Sequence, residues 1–138
     1  MFELPQRYAE EIIAHAREEA PNECCGILAG KEGRILELHR AVNAEHSPYR
    51  FEIDKARLRR IHAEVEAAGW QFLAIYHSHA AGEARPSPAD LALARGEGAD
   101  LWPGVVHLIV SLASDPPSLR AFRLDGGAAL EEELSFID

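Results

Sequence analysis

Apolar residues at helical spacing predict three helices. In residues 5–19 the apolar positions recur every three or four residues, which is typical of an amphipathic helix. A second helix is expected after Asp54, which is a good N-cap residue, and Gly69 is placed to end it. A third helix is expected to begin with Ser87 at the N-cap and Pro88 at the first helical position.

Short apolar runs and alternating segments predict the strands. Residues 23–30 form an apolar run that ends in a glycine turn, and residues 34–42 alternate closely enough to be its hairpin partner. A further short strand is expected over residues 49–53, which read YRFEI. The remaining predicted strands cover residues 70–79, 105–112 and 118–125. Residues 129–138 fit a strand or a helix, and a strand is favoured.

Helices and strands interleave along the chain, and this order indicates the fold class. We expect an α/β fold in which a mixed β-sheet is flanked by helices. The chain has 138 residues and contains no internal repeat, linker or low-complexity tract. Residues 1–138 are therefore predicted to form a single domain.

Composition and charge exclude several classes of partner. The net charge is −9, from 14 basic and 23 acidic residues, whereas nucleic acid and anionic membranes require a basic patch. No apolar run approaches the roughly 18 residues of a membrane span, and the N-terminus lacks signal-peptide features, so we expect a cytoplasmic protein.

The adjacent Cys24 and Cys25 are expected to be buried on a strand. The sequence leaves open whether the chain forms a homo-oligomer.

Two histidines at the end of a predicted strand suggest a metal site. Side chains two positions apart on a strand share a face, so His77 and His79 project together while Ser78 turns away. Ser87 starts the next helix, which places Asp90 in the first turn, where the loop can fold its carboxylate over the strand end. Two nitrogens and one oxygen, with a fourth position left for water, are typical of catalytic zinc.

Each part of this arrangement also has a structural explanation. Ser-x-x-Asp before an apolar run is a helix-capping arrangement, and an isolated His-x-His pair is often a surface feature. Glu23 is a candidate general base, because a charge at the start of an apolar strand is costly without a function. Alternatively, Glu23 precedes the strand in solvent. The histidines expected on surfaces or turns, with no assigned role, are His15, His39, His46 and His62.

Three motifs in this order resemble the signature of the JAMM (MPN-plus) metalloprotease family. That signature combines Glu-x-Cys-Gly in a strand, then His-x-His, then Ser-x-x-Asp. The matching residues are Glu23, Cys25 and Gly26, then His77 and His79, then Ser87 and Asp90. Residues 47–54 and 107–112 also look like the short bacterial members, so the likeness covers most of residues 1–125. It implies an MPN fold, which is related to that of cytidine deaminases.

The resemblance implies a role for each matched residue. The zinc ligands would be His77, His79 and Asp90. Glu23 would activate the zinc water and later protonate the leaving amine, and Ser87 would donate a hydrogen bond to the tetrahedral oxyanion.

One departure from the family pattern is visible, since the family usually has proline after the second histidine and this chain has Ala80. Proline fixes φ, so its loss is expected to loosen the following loop.

The family also implies a substrate class. Its members cleave peptide or isopeptide bonds after the Gly-Gly tail of ubiquitin or ubiquitin-like proteins. This short chain has no room for the long insertions of members specialised for ubiquitin chains. It is more similar to bacterial members that act on small sulfur-carrier proteins, some of which release cysteine or another adduct. The expected partner is therefore a ubiquitin-like or sulfur-carrier protein with a Gly-Gly C-terminus.

Two other functions are compatible with a fold of this kind. A non-catalytic scaffold of the same fold typically lacks one or more metal ligands, whereas this chain keeps all three. A zinc amidase or deaminase that acts on a small molecule would use cysteine ligands in a Pro-Cys-x-x-Cys arrangement. That arrangement does not occur in this sequence.

Overall fold

Three helices and eight strands form the part of the chain that the computed structural model describes, residues 1–95, 104–125 and 128–138. The helices are α1 (Gln6–Glu19), α2 (Lys55–Ala67) and α3 (Pro88–Arg95). The strands are β1 (Phe2–Pro5), β2 (Cys25–Lys31), β3 (Arg34–Ala41), β4 (Gln71–His79), β5 (Val106–Ser111), β6 (Ser118–Asp125), β7 (Ala128–Glu132) and β8 (Leu134–Ile137). The three predicted helices are confirmed, and Asp54 caps α2 by accepting a hydrogen bond from the Arg57 N–H.

Six of the described strands form one mixed sheet in the order β3-β2-β4-β5-β6-β7. Neighbouring strands run antiparallel except β4 and β5, which are parallel. As a result the C-terminal ends of β4 and β5 lie side by side, with His79 opposite Ser111. β1 and β8 pair in a separate parallel ribbon. β1 was not predicted, since it has only four residues. Residues 129–138, predicted as one strand, form β7 and β8 in different sheets.

Apolar side chains pack on both faces of the six-stranded sheet, because α1 covers one face and α2 covers the other. The cluster on the α1 face includes Ile12, Leu28, Tyr76 and Leu108. The cluster on the α2 face includes Ile27, Ile61, Val65 and Ile75. The alternation along β4 therefore places His77 and His79 on the α2 side and Tyr76 and Ser78 on the α1 side. Burial on both faces explains the continuous apolar runs in the sequence.

Residues 49–53 do not form the predicted strand. They contribute an isolated bridge between Asn43 and Ile53. The Asn43 side chain accepts a hydrogen bond from the Glu52 N–H and donates one to the Arg50 carbonyl oxygen. The Asn43 side chain thus takes the hydrogen bonds of main-chain groups that would otherwise pair with a neighbouring strand.

Two histidines that were expected on surfaces or turns are buried. His15 is 4% exposed on α1, and its Nδ1 lies 2.7 Å from the Tyr76 hydroxyl oxygen. His39, on β3, is 9% exposed. The expected burial of Cys24 and Cys25 is confirmed. None of the described helices is both long enough and apolar enough to span a membrane.

Candidate metal centre

Four of the five predicted site residues offer ligand atoms at the end of β4. His77 and His79 lie among the last three residues of this strand. Asp90 lies in the first turn of α3, and Glu23 lies two residues before β2. Their ligand atoms all lie within 4.8 Å of one another, and all four residues are buried. The chain therefore brings together two imidazoles and two carboxylates from three distant segments.

Three of these atoms form a nearly regular triangle. The Nε2 atoms of His77 and His79 lie 3.2 Å apart, and Asp90 Oδ2 lies 3.1 Å from the first and 3.3 Å from the second. Ligand atoms about 2.0–2.1 Å from a tetrahedral zinc would be separated by about 3.3 Å. Glu23 Oε2 lies outside the triangle, 3.9 Å from His79 Nε2. The distances thus fit three ligands of one divalent ion, with Glu23 beside them.

The two imidazole rings are oriented by other parts of the chain. His79 Nδ1 lies 2.7 Å from the Glu83 carbonyl oxygen. A carbonyl only accepts, so Nδ1 carries a hydrogen, and in the neutral ring Nε2 then has the lone pair that a metal ion would take. The His77 ring stacks on Phe51, with the ring centroids 4.4 Å apart. Both rings are therefore held in place by groups that are not ligand candidates.

Ser87 and Asp90 form the capping arrangement that the sequence offered as a structural alternative. The Ser87 N–H donates to Asp90 Oδ2 over 2.8 Å, and the Asp90 N–H donates to Ser87 Oγ over 3.1 Å. The same Oδ2 atom also faces both histidines. Capping and metal binding are thus compatible interpretations of one carboxylate. Ser87 Oγ accepts a hydrogen bond here, which leaves its hydroxyl hydrogen for another partner.

Glu23 is buried, with 3% of its surface exposed, so the alternative that it lies in solvent is wrong. Its Oε1 has no hydrogen-bond partner among the described residues. An unpartnered buried carboxylate oxygen is rare and costly in folded proteins. The site is therefore incomplete with the described protein groups alone.

Burial and neighbouring charges shift the pKa values of the site. Burial raises the pKa of Glu23 to about 7, His79 opposes this rise, and Asp90 adds to it. Burial also acts to raise the pKa of Asp90, but hydrogen bonds to His77 and His79 hold it far below its usual range. The pKa of His79 is raised, since the Asp90 hydrogen bond and other contacts outweigh burial. Two buried carboxylates beside imidazoles favour a divalent cation, which would balance their charge.

Sequence reasoning missed several residues that shape this site. Phe51 looked like one more apolar position of a predicted strand, and Asn43 is a single amide in a polar loop. Glu83 contributes its main-chain carbonyl, which any residue would provide, so no side-chain pattern could have identified it. Only the likeness of residues 47–54 to a known family drew attention to this region.

Comparison with known proteins agrees with the geometry. The family of prokaryotic homologues of the JAB domain, Prok-JAB, matches residues 5–125. The chain is 36% identical over 131 residues to the CysO-cysteine peptidase of Mycobacterium tuberculosis, covering 92% of this chain and 85% of that one. It is 35% identical over 108 residues to the desampylase of Pyrococcus furiosus, covering 78% and 72%.

Solved structures show the same fold. The solution structure of protein DSY2949 from Desulfitobacterium hafniense superimposes with a TM-score of 0.86 at 31% identity, covering 100% of this chain and 94% of that one. A structure described as "JAMM: A Metalloprotease-like Zinc Site in the Proteasome and Signalosome" superimposes with a TM-score of 0.62 at 20% identity, covering 100% and 99%. This likeness supports the fold alone. The chain belongs to the family of prokaryotic homologues of the JAB domain.

Proposed function

We propose that this chain is a zinc-dependent peptidase or isopeptidase that hydrolyses the bond after the C-terminal Gly-Gly of a ubiquitin-like or sulfur-carrier protein. The observation that carries the proposal is the triangle of two Nε2 atoms and Asp90 Oδ2, with sides of 3.1–3.3 Å, beside the buried Glu23. Two related proteins of this family are named CysO-cysteine peptidase and desampylase. Both names support hydrolysis of a carrier-protein conjugate.

The proposed zinc ligands are His77, His79 and Asp90. When bound, zinc would lower the pKa of its water to about 7 and polarise the scissile carbonyl. The hydrogen bond from His79 Nδ1 to the Glu83 carbonyl supports this assignment, because it leaves Nε2 of the neutral ring to bind a metal ion. The low pKa of Asp90 supports it as well, since the carboxylate stays ionised at any working pH.

Glu23 is the proposed general base and general acid. In the first step its carboxylate takes a proton from the attacking water as the carbon–oxygen bond forms. In the second step the carbon–nitrogen bond breaks and Glu23 returns that proton to the leaving amine. A pKa raised to about 7 suits a group that must both accept and donate a proton near neutral pH. The unpartnered Oε1 is free for this exchange.

Ser87 is the proposed donor to the oxyanion of the tetrahedral intermediate. Its Oγ accepts from the Asp90 N–H, so the cap fixes the oxygen and leaves the hydroxyl hydrogen available. A fixed donor near the developing charge stabilises the transition state more than the ground state.

The cytoplasmic location expected from the sequence stays a prediction.

A defined reporter tests the proposed function. The zinc-loaded protein is incubated with a small carrier protein whose C-terminal Gly-Gly is linked to cysteine, and mass spectrometry follows release of the cysteine. We expect cleavage after the second glycine and loss of cleavage on chelation. Glu23→Gln should retain zinc in elemental analysis but lower turnover by about 10²–10⁴-fold, the usual contribution of general acid–base catalysis.

The matched control is Glu19→Gln, which changes an exposed glutamate on the last turn of α1. It should leave turnover unchanged. Full activity of Glu23→Gln would remove Glu23 from the proposed role. A carefully purified protein that binds no zinc would instead support the non-catalytic scaffold.

A further inference from the structure

The main chain of Glu23 and Cys24 precedes β2, yet each of its polar groups is hydrogen-bonded. The Glu23 N–H donates to the Ser47 carbonyl oxygen over 2.8 Å, and the Glu23 carbonyl accepts from Asn43 Nδ2 over 3.0 Å. The Cys24 N–H donates to Ser78 Oγ over 2.8 Å, and the Cys24 carbonyl accepts from the Ser78 N–H over 3.2 Å. Because β2 begins one residue later, these contacts determine where Glu23 lies.

The Asn43 side chain connects the Glu23 main chain to residues of the neighbouring loop. It is 8% exposed. Its Nδ2 donates to the carbonyl oxygens of Glu23 and Arg50 over 3.0 and 3.1 Å. Its Oδ1 accepts from the N–H groups of Glu45 and Glu52, each over 3.0 Å. An amide has two donors and two acceptor lone pairs, so Asn43 uses its full capacity.

We propose that Asn43 is a positioning residue for Glu23. The inference rests on the proposed function, in which Glu23 moves the proton. Asn43 ties the loop of residues 43–52 to the Glu23 main chain, and the same loop supplies the Ser47 carbonyl that binds the Glu23 N–H. It lies outside the group of candidate ligands. Losing it should displace the Glu23 carboxylate, whereas His79 and Asp90 are still held by Glu83 and Ser87, which lie outside this loop. Because Phe51 of the same loop stacks on His77, zinc content is measured beside kcat.

The first test compares Asn43→Ala with Asn43→Asp, which keeps the shape and acceptors of the side chain but lacks its two donors. We expect kcat on the reporter to fall about ten- to a hundred-fold in both, because small misplacements of a catalytic group are costly. KM and zinc content should not change. The rates are measured well below the melting temperature of each variant. If Asn43→Ala does not fold, Asn43→Asp carries the same comparison.

A control variant separates positioning from general destabilisation. Asp54→Ala removes the N-cap of α2 and leaves the contacts of the Glu23 main chain in place. It should lower the melting temperature and leave kcat unchanged. A matching loss of kcat in this control would overturn the proposal.

A second readout does not depend on peptidase activity. Amide hydrogen exchange is measured at Glu23 in the wild type and in both Asn43 variants, with the β2 residue Ile27 as the internal reference. Faster exchange at Glu23 with unchanged exchange at Ile27 is expected, because the loop that accepts the Glu23 N–H is released. If the wild type does not cleave the reporter, the proposed function fails. The exchange measurement still tests whether Asn43 holds the Glu23 main chain in place.

A double-mutant comparison tests whether Asn43 acts through Glu23. In the Glu23→Gln background, Asn43→Ala should lower the residual turnover no further, because a residue that acts through Glu23 has nothing left to position. A further loss in that background would overturn the proposal. So would an unchanged kcat with unchanged exchange at Glu23, or a loss of kcat that follows the loss of zinc.

Discussion

At the scale of single residues, the site depends on one carboxylate oxygen with two sets of partners. Asp90 Oδ2 accepts the Ser87 N–H at the start of α3 and also faces the Nε2 atoms of His77 and His79. The N-terminal end of a helix favours a negative charge. The cap therefore helps to keep Asp90 ionised and fixed where a cation would need it.

Glu23 gives a prediction about stability and pH. In the folded protein without metal its pKa is raised from 4.5 to about 7. Between these values the folded state holds a proton that the unfolded chain has released, so the free energy of unfolding falls as pH rises. The raised pKa of His79 acts in the same direction. We expect a loss of up to about 3 kcal/mol across this window.

The measurement is urea unfolding of the metal-free protein between pH 5 and pH 7.5, side by side with Glu23→Gln. The variant should lose clearly less stability over this range. Parallel curves for the two proteins would show that Glu23 titrates normally.

At the scale of elements, the pairing of β2 with β4 requires glycine at position 26. Gly26 lies opposite Tyr76, and a Cβ at this position would come within 2.2 Å of the Tyr76 ring. The ring cannot move aside easily, because it is fully buried and its hydroxyl lies 2.7 Å from His15 Nδ1 on α1. The glycine of the Glu-x-Cys-Gly motif thus has a packing reason that is independent of catalysis.

Gly26→Ala should therefore lower the free energy of unfolding by about 1–3 kcal/mol, the usual cost of overpacking a core. Chemical denaturation of the purified variant measures this loss. Gly82→Ala is the control, since a Cβ there would meet its nearest neighbour at an ordinary 3.9 Å. Equal stability of the two variants would contradict the packing argument.

Elements with a strong local period could be predicted from the sequence, and so could the candidate ligands. α1, α2 and β4 follow their apolar spacing, while His77, His79 and Asp90 stand at motif spacing. The error at residues 49–53 arose because the side chain of Asn43 takes over main-chain hydrogen bonds of this segment. His15 was misplaced because its polar character hid its position one turn after the buried Ile12. Such effects depend on tertiary contacts, which one sequence does not display.

At the scale of the whole molecule, the site joins parts of the chain that are far apart in sequence. Glu23 reaches it through the β2–β4 pairing, and Asp90 reaches it through the loop between β4 and α3. An ion bound by His77, His79 and Asp90 would cross-link the end of β4 to the start of α3. Because the unfolded chain does not hold the ligands together, metal binding should stabilise the fold.

Zinc at about 100 times its dissociation constant should add about 2.7 kcal/mol to the free energy of unfolding. Thermal melting with zinc and with chelator measures the shift. Asp90→Asn should lose it, although its amide oxygen can still accept the Ser87 N–H. Glu23→Gln should keep it, since Glu23 lies outside the ligand triangle. A full shift in Asp90→Asn would remove Asp90 from the ligand set.

The alternation along β4 limits how this chain can change length. Tyr76 and Ser78 face the α1 side of the sheet, whereas His77 and His79 face the α2 side. Neighbouring residues of this strand therefore have different roles. One amino acid inserted just before His77 would shift every following strand residue by one position, and a strand repeats every two residues. The two imidazoles would then face the α1 side, and Ser78 would face the metal site. Lengthening is tolerable only beyond the strand, in the loop that begins at Ala80.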